Sequence, residues 1–142
     1  MTDSPNVDLV RSIYADWERG DFSSAEWAHP DIVYSRVGGL EEGAATGLAA
    51  LAKAIGNFMQ PWEDWRIEAE EFRELADGRV LVLDRHRGRG KRSGLDVDQL
   101  RSRSHTAYLF ELRDGKVSRL VGYMDRDDAF ADLGLTPEGE SP

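Results

Sequence analysis

Two strands and a tight turn are written into Tyr108-Leu109-Phe110-Glu111-Leu112-Arg113-Asp114-Gly115-Lys116-Val117-Ser118-Arg119-Leu120-Val121-Gly122-Tyr123-Met124-Asp125. Apolar runs flank Asp114-Gly115, and a type I′ turn needs φ > 0 at both central residues, which Asp-Gly tolerates well. Strand period then puts Tyr108, Phe110 and Leu112 on one face and Leu109 on the other. The outgoing strand ends in Tyr123-Met124-Asp125, which places a ring and a carboxylate at the rim of the sheet.

The chain before this hairpin is read as helices first and strands second. Ser4-Pro5 has the form of an N-cap followed by proline at the first helical position. Val7, Val10, Ile13, Tyr14 and Trp17 follow at helical spacing, and Gly20 closes the helix. A short second helix is expected around Phe22–Trp27, capped by Asp21 or Ser23 and ended by His29-Pro30. Ile32-Val33-Tyr34 is a short strand before a glycine-rich loop. Thr46 is expected to cap a third helix with Leu48, Leu51, Ile55, Phe58 and Met59 on its apolar face.

From Trp65 the period becomes two, with Ile67 and Ala69 alternating with charged residues. Phe72 is out of phase with them, so a bulge is expected near Glu71. Asp77-Gly78 turns the chain into Val80–Leu83, a continuous apolar run expected to be buried on both faces. Arg85–Arg103 is basic and glycine-containing, and reads as two strand ends joined by a loop near Lys91–Asp96. A last helix, Asp127–Leu133, ends at Gly134. One domain over residues 1–135 is expected, with residues 136–142 as a frayed tail.

Composition narrows the function classes. The 142 residues are 40% apolar and 32% charged, a globular composition that supports a single core. With 27 acidic against 18 basic residues the net charge is −9, which opposes nucleic acid and anionic membrane partners. The absence of cysteine removes thiolate catalysis and thiolate metal ligation. Neither a signal peptide nor an apolar run of membrane-spanning length is visible, so a cytoplasmic protein is expected.

Helices followed by four long antiparallel strands make an α+β domain. The order resembles the superfamily named after nuclear transport factor 2, and within it the SnoaL-like or ketosteroid-isomerase-like group. Tyr14 through Gly20-Asp21, Pro30-Asp31-Ile32-Val33-Tyr34, Gly47, Arg113-Asp114-Gly115-Lys116-Val117, Tyr123-Met124-Asp125 and Ala129 carry the resemblance. It implies a cone: a curved antiparallel sheet wrapped around three N-terminal helices with an apolar interior. It also implies small-molecule chemistry without a cofactor, of isomerase, cyclase or hydrolase type. The alternative is a non-catalytic ligand-binding or dimerisation module on the same fold.

Carried over residue by residue, the isomerase base falls at Ser35, which cannot abstract a carbon-bound proton unaided. The helix-one tyrosine falls at Ile13, beside Tyr14, and the penultimate-strand position at Tyr108. The resemblance to SnoaL-type cyclases puts an acid/base at Asp125, with His86 or His105 nearby. The competing role for Asp125 is capping the final helix or pairing with Arg126 or Arg119. The epoxide-hydrolase pattern would need Asp84, Arg101, Arg103 and Asp125 to converge. The expected catalytic set is therefore Asp125, Tyr108 and His86, with Tyr14, Trp17, Tyr34, Phe58, Trp62 and Phe110 around an apolar or carbonyl-containing ligand. Strand parity turns His105 outward, which argues against a metal site shared with His86. A homodimer through an outer sheet face containing Leu109 and Val121 is expected.

Overall fold

Ser4 starts the first helix as its sequence requires. In the computed structural model its hydroxyl accepts from the Val7 N–H at 3.2 Å, and Pro5 opens α1 (Pro5–Glu18). The structure describes residues 4–21, 26–37, 43–59, 62–75, 78–90, 105–123, 125–136 and 139–140. Val7, Val10, Ile13, Tyr14 and Trp17 are all buried, so the stripe read from the 3.6 period is the face α1 lays on the sheet.

Among the described residues eight strands and two further helices follow: β1 (Ala28–Val37), β2 (Gly43–Thr46), α2 (Leu48–Met59), β3 (Trp62–Glu74), β4 (Val80–Gly90), β5 (His105–Arg113), β6 (Lys116–Tyr123), α3 (Arg126–Leu133), β7 (Leu135–Thr136) and β8 (Gly139–Glu140). Six strands form one open sheet in the order β2-β1-β6-β5-β4-β3. All its pairings are antiparallel except β1 with β6, which is parallel. The architecture is the expected α+β, with three helices among the described residues. Among these helices none is long and apolar enough to cross a membrane.

The hairpin between β5 and β6 turns at Asp114 (φ 55°) and Gly115 (φ 76°), both left-handed as a type I′ turn demands. Its faces also follow the expected parity. Tyr108 and Phe110 lie in an inner core with α1, whereas Leu109 and Val121 lie in a second cluster on the opposite face. The anticipated bulge is present: Ala69 pairs with Asp84 and Glu71 with Leu83, leaving Glu70 as the extra residue. That insertion puts Phe72 back on the face of Ile67 and Ala69. Val80–Leu83 is buried on both sides.

Four expectations need correction. The strand expected at Ile32 begins at Ala28 and runs through His29-Pro30. Proline is accommodated because the β1–β6 register breaks between Ala28 and Val33, where no ladder donor is needed. Of the short helix expected before it, residues 22–25 lie outside the described residues. Thr46 ends β2, in register with Val33, instead of capping α2; the turn into the helix is made by Gly47 at φ 94°. The outer sheet face expected to mediate dimerisation is already covered. Leu109 and Val121 are 3% and 4% exposed in the single chain, because α3 lays Ala129 and Phe130 against them. Finally, the expected tail contains a two-residue ribbon, Leu135–Thr136 paired with Gly139–Glu140. The loop expected near Lys91–Asp96 lies outside the described residues.

Two glycines should separate turn requirement from mere composition. Gly115→Ala places a Cβ at φ 76° and is expected to lower stability by about 1–2 kcal/mol. Gly56→Ala, in α2 with open space around the new methyl, is expected to raise it by up to about 1 kcal/mol. Urea denaturation of both variants reads the two signs directly.

Candidate functional site

Strand β4 carries its apolar run inward as Val80 and Val82, and the same parity then delivers Asp84 and His86 into the interior. Asp84 is 0% exposed and His86 1%. A carboxylate in such a place has to be satisfied by its neighbours. The Tyr14 hydroxyl, from α1, donates to Asp84 Oδ2 at 2.6 Å, and the Thr106 hydroxyl, from β5, donates to Oδ1. Thr106 is the cross-strand partner of Asp84. Three elements thus meet at one carboxyl group.

A fourth element holds the backbone beneath it. Arg126, in the first turn of α3, donates from Nε to the Thr106 carbonyl at 3.1 Å and from Nη2 to the Asp84 carbonyl at 2.8 Å. The same guanidinium pairs with Glu70, the residue that the β3 bulge leaves out of register. Burial pushes the Asp84 carboxyl up from 3.8 to about 7, and the Thr106 and Tyr14 hydrogen bonds with the Arg126 charge recover only part of that cost. Tyr14 is raised well above its ordinary value by burial and by the Asp84 charge.

The second half of the group lies toward β1. His86 stacks on Tyr108 with ring centroids 5.9 Å apart and planes 13° from parallel. Burial, then the Arg36 charge, lowers His86 from 6.5 to about 3, so its imidazole is neutral. Tyr108 shares a side-chain hydrogen bond with Tyr34, and the Tyr34 hydroxyl accepts from Arg36 Nη2 at 3.0 Å. Behind this row, Trp17 meets Tyr14 edge-on at 5.0 Å, with Phe110 5.9 Å from Tyr14.

The residues expected from sequence divide accordingly. Tyr14, Trp17, Tyr34, His86, Tyr108 and Phe110 share the inner side, His86 through its stack on Tyr108 and the others in one apolar cluster. Trp17 and Phe110 are spent largely on packing. Asp125 does not join them. It is exposed, and its carboxylate accepts from the Asp127 N–H at 2.9 Å as the N-cap of α3. The side chains of Phe58, Trp62 and His105 lie outside the described residues, as do Arg101 and Arg103.

Asp84 as a paired buried acid, Thr106 and Arg36 were not read as one site from the sequence. A signal existed for two of them. Asp84 continues the buried parity of Val80 and Val82, and Arg36 that of Ile32 and Tyr34. In the basic stretch beginning at Arg85, Arg85 is half-buried and His86 buried, while the exposed Arg87 pairs with Glu68 of β3.

The sequence of residues 10–120 matches the model of the SnoaL-like domain. The chain belongs to this family. Among curated proteins no sequence matches significantly. Among solved structures, Bal32a from a soil-derived mobile gene cassette is 20% identical with a TM-score of 0.69, over 83% of this chain and 87% of that one. An NTF2-like protein of unknown function from Burkholderia pseudomallei K96243 is 18% identical with a TM-score of 0.71, over 91% and 97%. TerC, co-crystallised with polyporic acid, is 25% identical with a TM-score of 0.64, over 92% and 98%. The likeness to the first two is one of fold. Within this SnoaL-like chain, Ser35 is in register with Val121 of the outer layer, so the residue carried over as the missing base does not share the inner side with Tyr34 and Tyr108.

The two buried titratable groups act oppositely on stability. Asp84, raised in the folded chain from 3.8 to about 7, favours folding at low pH, and that contribution is lost as pH rises through about 7. His86, lowered from 6.5 to about 3, contributes stability above its unfolded value, and this is lost as pH falls through about 3. Between roughly pH 4 and 6.5 their slopes oppose each other, one proton each. Relative to the parent, Asp84→Asn should therefore gain stability with rising pH by up to about 1.4 kcal/mol per unit across this interval. His86→Phe, which keeps a ring on Tyr108, should lose it by a similar amount. Urea midpoints at several pH values decide this, and parallel profiles for all three proteins would contradict both assignments.

Proposed function

We propose that this SnoaL-like domain binds a small carbonyl-containing molecule in a cone-like apolar interior and moves a proton on it with Asp84. The observation that carries the reading is a fully buried carboxyl, held by Tyr14 and Thr106, whose proton affinity lies near neutrality. General acid/base chemistry is most effective at that point, because both protonation states are populated.

As carboxylate, Asp84 accepts a proton from the carbon beside the ligand carbonyl, and the C–H electron pair moves into an enolate. As carboxylic acid, it returns the proton to the same or a conjugated carbon. Each carboxylate oxygen keeps a second lone pair beyond the one its internal donor uses. The Tyr34–Tyr108 pair provides hydroxyl groups on the same inner face for the enolate oxygen, and the neutral His86 fixes the Tyr108 ring by stacking. Asp84 takes the acid/base role first expected of Asp125.

Polyporic acid, the TerC ligand, is a direct binding probe, and a panel of aromatic ketones in D2O tests the proton step. The parent protein should bind a member of the panel and exchange its α-hydrogen for deuterium. Asp84→Asn should keep binding while exchange falls by about 10²-fold or more. Exchange undiminished in Asp84→Asn would refute the proton-transfer role.

A second reading, a binding module without chemistry, has one specific observation in its favour. Both Asp84 oxygens are occupied, and the two donors tie α1 and β5 to β4. On that reading the parent binds but exchanges nothing, and Asp84→Asn lowers stability alone.

A further inference from the structure

The extra residue of the β3 bulge has a partner, and that partner reaches the backbone of the buried acid. Glu70 falls between Ala69, which pairs with Asp84, and Glu71, which pairs with Leu83, so the bulge lies opposite the Asp84–Leu83 step. The Glu70 carboxylate meets the Arg126 guanidinium at the start of α3. From there Arg126 Nη2 donates to the Asp84 carbonyl at 2.8 Å and Nε to the Thr106 carbonyl at 3.1 Å. Asp84 and Thr106 are cross-strand partners, and the Thr106 hydroxyl donates to the Asp84 carboxyl. One planar fork of donors therefore spans the two residues on which the place of that carboxyl depends.

Holding α3 down does not require this arrangement. Ala129 and Phe130 already pack that helix on the sheet, whereas a half-buried guanidinium costs desolvation. Bulges beside functional groups re-aim a side chain, and this one turns Glu70 toward the cation that grips the Asp84 backbone. The two rim charges act on Asp84 in opposite senses: Arg126 favours its ionised form and Glu70 disfavours it. Tyr14 of α1 and Tyr108 of β5 also face Asp84, and burial keeps both neutral, as it does His86 on the same strand.

We propose that Arg126, oriented by Glu70 of the bulge, is a positioning residue for Asp84: its fork fixes the Asp84–Thr106 pair, and the charge balance at the rim sets where the acid inside ionises. Both rim groups act through Asp84. The inference deepens the proton-transfer reading above and rests on it for its catalytic consequence.

A carboxyl 13C NMR titration follows Asp84 directly, its resonance being the one absent from Asp84→Asn. Arg126→Gln should move the midpoint up by about 0.5 unit or more. Glu70→Gln should move it down by about 0.3 unit, the smaller shift because Glu70 is the more exposed of the two. This second variant, changed at an exposed position, decides the matter even where Arg126→Gln does not fold. Arg126→Lys keeps the charge and loses the fork, so its midpoint should stay within about 0.2 unit of the parent's. Its kcat for deuterium exchange into an aromatic ketone should nevertheless fall about tenfold with KM unchanged. Midpoints that stay in place in both Gln variants, or move in the same direction, would reduce the pair to a brace for α3 and overturn the proposal. Exchange undiminished in Arg126→Lys would overturn the positioning role. Opposite midpoint shifts with no exchange in any of the proteins, parent included, would uphold the charge coupling and refute the proton-transfer reading instead.

Discussion

One carboxyl group ties the layers of this molecule together. Asp84 accepts from Tyr14 on the helix and from Thr106 on the neighbouring strand, and its own backbone carbonyl accepts from Arg126 of the last helix. The Arg126 guanidinium in turn depends on the bulge that releases Glu70. Removing water from a carboxylate is expensive, and three hydrogen-bonding neighbours only partly offset that here, which is why its proton affinity rises toward neutrality. The same interaction that fastens α1 to the sheet therefore leaves a titratable acid in the interior.

Around this acid the inner face is organised by strand register. In β4 the parity of Val80 and Val82 carries Asp84 and His86 inward, and in β1 the parity of Ile32 and Tyr34 carries Arg36. Gly122 supplies the gap across which Tyr108 spans from β5 toward β1. An acid of near-neutral affinity on one side and a cation on the other, separated by rings, polarise an interior that is otherwise apolar. The opposite face of the sheet is closed by α3 through Ala129 and Phe130.

Much of the fold could be read residue by residue. The Ser4-Pro5 cap, the buried stripe of α1, the Asp114-Gly115 turn and the phase change at Phe72 all reflect interactions spanning a few positions, and each recurs in the structure. The start of β1 could not, because a proline argues against a strand unless a register break excuses its missing donor, and that break is a property of the β1–β6 pair. The candidate site was read in part. Tyr14, Tyr34 and Tyr108 were recognised as rings for the inner face and His86 as a candidate whose facing the sequence left open, whereas Asp125 drew attention by its place at a strand end and is a helix cap.

What the sequence alone determined, then, is most of the long elements and the face several of them present, because helix and strand periods, caps and tight turns are local consequences of residue type. Which polar groups meet was decided by the tertiary structure. Asp84 and Tyr14 are 70 residues apart, and Tyr108 reaches the Tyr34–Arg36 pair of β1 only through the registers of β1 on β6 and of β6 on β5. A pairing of that range depends on how helix, bulge and strands stack together. A shift of one residue in any strand would send its side chain to the other face.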